Sequence, residues 1–160
     1  MEVDALLCNH AEVADGKLYV NGAGINMAFV GPQPPQMISV AVGLVVQVPY
    51  TATNQMHTVS LRLIDQDGSP VHPWVPPGVE PGGPVALNLP FNLGRPPHLQ
   101  PGETQSHPMS VGFQLPVPGL GLFLFMIEVD GTEVRRLPLR VMVPPMAPGT
   151  MTPTSIPGLS

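Results

Sequence analysis

The chain has one cysteine, one tryptophan, one lysine and few charges, which make up only 11% of its 160 residues. With Cys8 alone, no disulfide can form within the chain, and a stapled extracellular scaffold is excluded. Cys8 ends the apolar run Ala5-Leu6-Leu7-Cys8 and reads as a small buried hydrophobe rather than a nucleophile. Six Lys and Arg stand against eleven Asp and Glu, for a formal charge of -5, and the densest basic group is Arg135-Arg136 with Arg140 nearby. Binding to nucleic acid or to anionic lipid therefore has no electrostatic basis. No apolar run approaches the roughly 20 residues of a membrane-spanning helix. The longest, Ile38 to Val48, is interrupted by Ser39, Gly43 and Gln47. Glu2 and Asp4 occupy positions where a secretory leader would carry basic residues, so none is expected.

What the chain has in abundance is punctuation. Its 23 prolines and 17 glycines make a quarter of the residues, which excludes a helical bundle or a coiled coil. Yet 43% of the residues are apolar, too many for a wholly disordered chain. One β-rich domain is expected over residues 1–143. A Pro-rich tail follows over 144–160, uncharged and without a periodic face, and is expected to be disordered or extended.

Within the domain the turn signals fall between short apolar segments. Ala14-Asp15-Gly16-Lys17 precedes Leu18-Tyr19-Val20, and Ile25 to Val30 forms a third segment before the break Gly31-Pro32-Gln33-Pro34-Pro35. Met37 to Val48 is dense in β-branched residues and reads as a strand. Met56 to Ile64 alternates, with His57, Val59, Leu61 and Leu63 on one face, and closes at Asp67-Gly68. Residues 70–84 and 94–102 read as Pro/Gly loops around an alternating segment at Val85 to Phe91. Ser110 to Val117 is a further strand. Leu122 to Val129 joins Glu133 to Val143 through Asp130-Gly131 as the strongest hairpin signal, and Pro138 marks an edge or a bulge in its second arm. By its residues alone, Val3 to Cys8 fits a helix or a strand. The expected fold is all-β, an immunoglobulin-like or C2-like two-sheet sandwich of seven to nine mostly antiparallel strands.

Chemistry-bearing motifs are sparse. His10, His57, His72, His98 and His107 stand in no metal-ligand spacing, and no cofactor is implied. Asp65-x-Asp67-Gly68 begins like a calcium loop, but the remaining oxygen ligands do not follow. There is no nucleophile elbow and no phosphate-binding glycine loop. Trp74, with Val75, lies in a Pro-rich loop that suits either a partner anchor or a cap over one end of the fold. The tail's Met146, Met151, Ile156 and Leu159 offer apolar contacts to a neighbour.

Two stretches of the sequence go further. Val3-Asp4-Ala5-Leu6-Leu7-Cys8-Asn9-His10-Ala11 with Ala14-Asp15-Gly16-Lys17-Leu18-Tyr19-Val20-Asn21-Gly22-Ala23-Gly24 resembles the opening of an uncharacterised family of small, mainly actinobacterial proteins. The closing segments Val111-Gly112-Phe113-Gln114-Leu115-Pro116 and Phe125-Met126-Ile127-Glu128-Val129-Asp130-Gly131 resemble it again, so the likeness spans about residues 2–143. The resemblance implies a cytoplasmic β-sandwich, a hairpin turn at Asp15-Gly16-Lys17-Leu18 and a strand rather than a helix at Val3 to Asn9. It brings no catalytic residue with it.

The expected function is that of a non-enzymatic module binding a protein partner or a second copy through a strand edge or loop, with Trp74, Val75, Met146, Ile156 and Leu159 as contacts. The alternatives are an enzyme or a metal or small-ligand protein using His10, Asp15 and His57, and a carbohydrate-binding sandwich.

Overall fold

The computed structural model describes residues 1–31, 36–72 and 86–145. Among them are eleven strands: β1 (Glu2–Cys8), β2 (His10–Ala14), β3 (Lys17–Asn21), β4 (Met27–Phe29), β5 (Met37–Pro49), β6 (Met56–Asp65), β7 (Pro70–Val71), β8 (Ala86–Asn92), β9 (Thr104–Pro116), β10 (Gly121–Val129) and β11 (Thr132–Met142). A single 3-10 turn, Tyr50–Ala52, follows β5. None of the described residues forms a helix long and apolar enough to cross a membrane.

The fold is all-β with three sheets, one of them curled into a half-barrel. The first sheet has the order β1-β5-β9 and is antiparallel throughout. The larger sheet runs β4-β11-β10-β6, and β7 and β8 pair in succession along the far side of β6. All its pairs are antiparallel except β4 with β11. The third sheet is the β2–β3 hairpin. There are more strands than the expected seven to nine because the opening segment divides at Asn9 and because β4 and β7 are only three and two residues long.

Alternation decides which residues meet in the core. Along β6, His57, Val59, Leu61 and Leu63 are all buried, and on β10 so are Phe123, Phe125, Ile127 and Val129. Apart from His57, both sets share one apolar cluster with Val42, Leu44, Val46 and Val48 of β5, so the inward faces of the two larger sheets form a single core. β5 is buried more continuously than strict alternation allows, because the β2–β3 hairpin lies against the other side of its sheet. There Leu18, Val20 and Ala11 pack on Cys8 and Ala41. Gly43 makes room for them: a Cβ at that position would lie 3.3 Å from a Leu18 methyl carbon and 3.4 Å from the Ala11 Cβ.

Both hairpin turns predicted from Asp-Gly form. Asp15 and Gly16 have φ of 49° and 69°, and Asp130 and Gly131 have 51° and 77°, the pair of positive values that two-residue turns between twisted strands require. Pro138 sits opposite Leu124 where, among the described residues, β11 has no partner on its other side, since β4 pairs only with Arg140–Met142. The missing N–H therefore leaves no ladder bond broken.

The entry to the β2–β3 hairpin is held tightly. The Asn9 amide reaches the carbonyls of Asn21 and Gly22 at 3.1 and 3.3 Å, and Gly22 has φ of 64°. A Cβ on Gly22 would overlap the Asn9 side chain, approaching its Cγ to 2.9 Å and its Cβ to 3.1 Å. Gly22→Ala is accordingly expected to destabilise the chain by about 1–3 kcal/mol, from backbone strain together with this clash. Urea unfolding measures the effect, and a change under about 0.5 kcal/mol would show that the crossing is not fixed as described.

Candidate functional site

One end of the larger sheet gathers the most polar constellation. His57, at the start of β6, is 7% exposed, and both its ring nitrogens face acceptors. Nδ1 donates to Asp130 Oδ2 and Nε2 to the Ala52 carbonyl, each at 2.7 Å. Only the imidazolium can donate from both nitrogens. Burial opposes that charge, but the Ala52 carbonyl and the Asp130 carboxylate outweigh it and raise the His57 pKa above its ordinary value. For Asp130 burial acts upward, again opposing the charged form, and the Thr58 amide, donating to Oδ1 at 2.9 Å, and the His57 ring together lower the carboxyl below its usual range. His57 thus ties three chain segments together: the 3-10 turn, β6 and the β10–β11 turn.

Phe91 of β8 packs against this histidine with ring centroids 5.4 Å apart and stacks on His107 of β9 at 4.9 Å. It thereby joins the larger sheet to the first. Burial lowers the His107 pKa. Beside them the Arg95 guanidinium lies 3.9 Å from the Tyr50 ring centroid and donates to Thr53 Oγ1 at 2.8 Å and to the Tyr50 carbonyl at 3.0 Å. The side chains of His57, Asp130, Arg95 and Thr53 are all engaged in holding the 50–54 loop. Their chemistry is that of a brace.

A different region is open and apolar. Among the described residues β4 is the edge strand of the larger sheet and pairs with β11 on one side only. Opposite it, β1 ends with Cys8 facing Ala41, so, among the described residues, positions 37–40 of β5 have a strand partner only in β9. Between these two unpaired backbone edges lies a cleft of about 230 Å³, walled by Ile25, Met27, Phe29 and Met37, with Asn9 and Ser39 as polar handles. Met27, Phe29 and Met37 are 50%, 56% and 48% exposed, which places three large apolar side chains in water around one opening.

The residues expected to act lie as follows. His10 is exposed at the start of β2 and 3.9 Å from Glu12, and Asp15 is in the β2–β3 turn. Among the described residues no three His, Cys, Asp or Glu side chains come together as a metal site. Asp65 caps its own turn, its Oδ1 accepting from the amides of Asp67 at 2.9 Å and Ser69 at 2.8 Å. Cys8 is buried and donates weakly to the Ala41 carbonyl, and burial pushes its thiol pKa up. Trp74, Val75, Met146, Ile156 and Leu159 lie outside the described residues.

The cleft is not legible from periodicity. Ile25 to Val30 reads as one apolar segment, whereas only Ala28 of β4 turns inward and its two large neighbours face out. A small residue between two large apolar ones, next to a Pro-rich break, was the available signal.

The fold and its open edges define a small all-β protein with an exposed apolar cleft and no assembled catalytic centre among the described residues. By its match to the model of a family of unknown function, DUF6941, over residues 3–142, the chain belongs to that family. No curated protein and no solved structure matches it.

Proposed function

We propose that the chain is a non-enzymatic protein-binding module, a variant of the immunoglobulin-like or C2-like sandwich, that takes up an extended, uncharged apolar peptide between β4 and the start of β5. The observation that carries this reading is the pairing of two open strand edges with the exposed Met27, Phe29 and Met37. Strand addition uses those features directly: the backbone edge supplies hydrogen bonds, and the flanking apolar side chains supply selectivity. Volume argues against a small ligand, because about 230 Å³ falls short of the roughly 300–1,000 Å³ of pockets that enclose one. An enzyme or metal protein using His10, Asp15 and His57 has less support, since both ring nitrogens of His57 are engaged. A cytoplasmic location, with Trp74 and Val75 as additional contacts, fits the same reading.

Selection of displayed peptides on the intact chain tests it. Extended, uncharged apolar sequences are expected to be enriched, and Phe29→Ser is expected to weaken their binding at least about tenfold, the loss of one interface anchor. Trp74→Ala in parallel reports on the loop. No enrichment, or binding indifferent to Phe29→Ser, would overturn the proposal.

A further inference from the structure

We infer that the cleft's resident occupant is the chain's own segment 146–160, folded back within the same molecule. The inference rests on the cleft being a peptide-docking site, and three observations name the occupant. The first is where the chain leaves the fold. β11 ends at Met142, which pairs with Phe29, and its carbonyl accepts from the Val30 amide at 3.0 Å. The last strand thus delivers the chain to the end of β4, at the mouth of the cleft.

The second is distance. A segment added along the open edge of β4 would lie two strand spacings from β11, about 9.6 Å. Val143-Pro144-Pro145, at about 3.3 Å per extended residue, can span about 10 Å. That length is enough to bring the chain to the open edge beside Phe29. Since β4 and β11 are parallel, a segment that turns back there runs antiparallel to β4, the pairing a short reversal permits. Residues 146–152 are more than long enough to follow a strand of three residues.

The third is chemistry. Segment 146–160 has no charged side chain and carries Met146, Met151, Ile156 and Leu159, while Ile25, Met27, Phe29 and Met37 wall the cleft. A methionine beside Phe29 makes a favourable sulfur–aromatic contact. Because the segment is tethered, its effective concentration reaches the millimolar range, so even a weak intrinsic affinity fills the site. Segment 146–160 then acts as a built-in competitor that a foreign peptide must displace.

A spin label on Thr150→Cys in the full chain, read by relaxation of methionine methyl signals, tests this. Met27 and Met37 are expected to broaden strongly. Met56 is expected to stay sharp, being exposed and at the opposite end of the larger sheet from β4. Phe29→Ser, at an exposed position the fold tolerates, and Met146→Asp are each expected to remove the broadening. Met146→Asp is also expected to strengthen binding of a foreign peptide about tenfold by removing the competitor. Broadening transferred to chains without the spin label when they are mixed with spin-labelled ones makes a second copy the occupant and overturns the inference. If Met27 and Met37 stay sharp while selected peptides still shift them, the inference fails and the docking proposal stands. If selected peptides do not shift them either, both fall.

Discussion

Phe125→Ala is expected to remove about 3–5 kcal/mol of stability, the largest effect of any single change discussed for this chain. The ring is 1% exposed and lies at the centre of β10, flanked on β6 by Leu63 and on β11 by Leu137. Across the core it stacks on Phe113 of β9 with centroids 5.7 Å apart. Deleting it removes buried apolar area and leaves a cavity walled by two sheets whose backbones are fixed by their own ladders, so little of the space can close. Against a total stability of roughly 5–15 kcal/mol the loss is severe. Phe29→Ser provides the contrast, since the ring is 56% exposed and contributes to the cleft rather than to the core. It should change stability by no more than about 0.5 kcal/mol. Urea unfolding of both variants checks the pair. A loss below about 1 kcal/mol at Phe125 would show that the two larger sheets do not share one core.

His57→Gln has the second largest expected effect, and its size depends on pH. Glutamine cannot satisfy both Asp130 and the Ala52 carbonyl, and loss of charge-assisted hydrogen bonds of this kind costs about 1–3 kcal/mol. Because the Asp130 side chain is 45% exposed, water screens the ionic part of the interaction, and the lower half of that range is expected. The folded-state pKa of His57 is raised, so its contribution is fully present below the unfolded value of about 6.5 and is lost as pH rises through the folded value. Asp130 behaves in the opposite sense. Its folded pKa is lowered, so its contribution is present above about 3.9 and is lost as pH falls through the folded value. The gap between wild type and His57→Gln should therefore be widest between about pH 4 and 6.5 and close on the alkaline side. The wild-type curve alone would obscure this, because His107 has a lowered pKa and works against the fold as pH falls below about 6.5. Thermal unfolding of both proteins from pH 4 to 9 gives the difference directly, and a gap constant from pH 5 to 8 would contradict a charged His57.

Local chemistry was legible in the sequence wherever it decides the conformation by itself. Asp15-Gly16 and Asp130-Gly131 form turns because both residues of each pair tolerate positive φ. β6 was legible because its alternation survives from Met56 to Leu63, with four inward positions buried, and breaks only at Ile64. β1 was ambiguous for a physical reason: Leu7 serves the main core while Cys8, next to it, serves the hairpin's contact with the sheet, so consecutive residues are both buried. The first half of β9, from Thr104 to Met109, has no legible strand pattern because it carries polar residues and Pro108. It is an edge strand of its sheet, where a missing N–H is tolerated. The sites depended on distant pairings. His57 meets Asp130 across 73 residues, and β4 meets β11 across more than a hundred, neither of which local periodicity encodes. A strand of three residues has no period from which to tell that Met27 and Phe29 point outward.

The central claim, that the cleft binds an extended segment by strand addition, is tested most directly by amide hydrogen exchange of the Met146→Asp chain, whose own segment no longer competes, with and without a selected peptide. The account predicts slowed exchange at Met27–Phe29 and residues 38–40, with the rest of the larger sheet unchanged. Protection spread over other strands, or none at β4 when the peptide is bound, would contradict it.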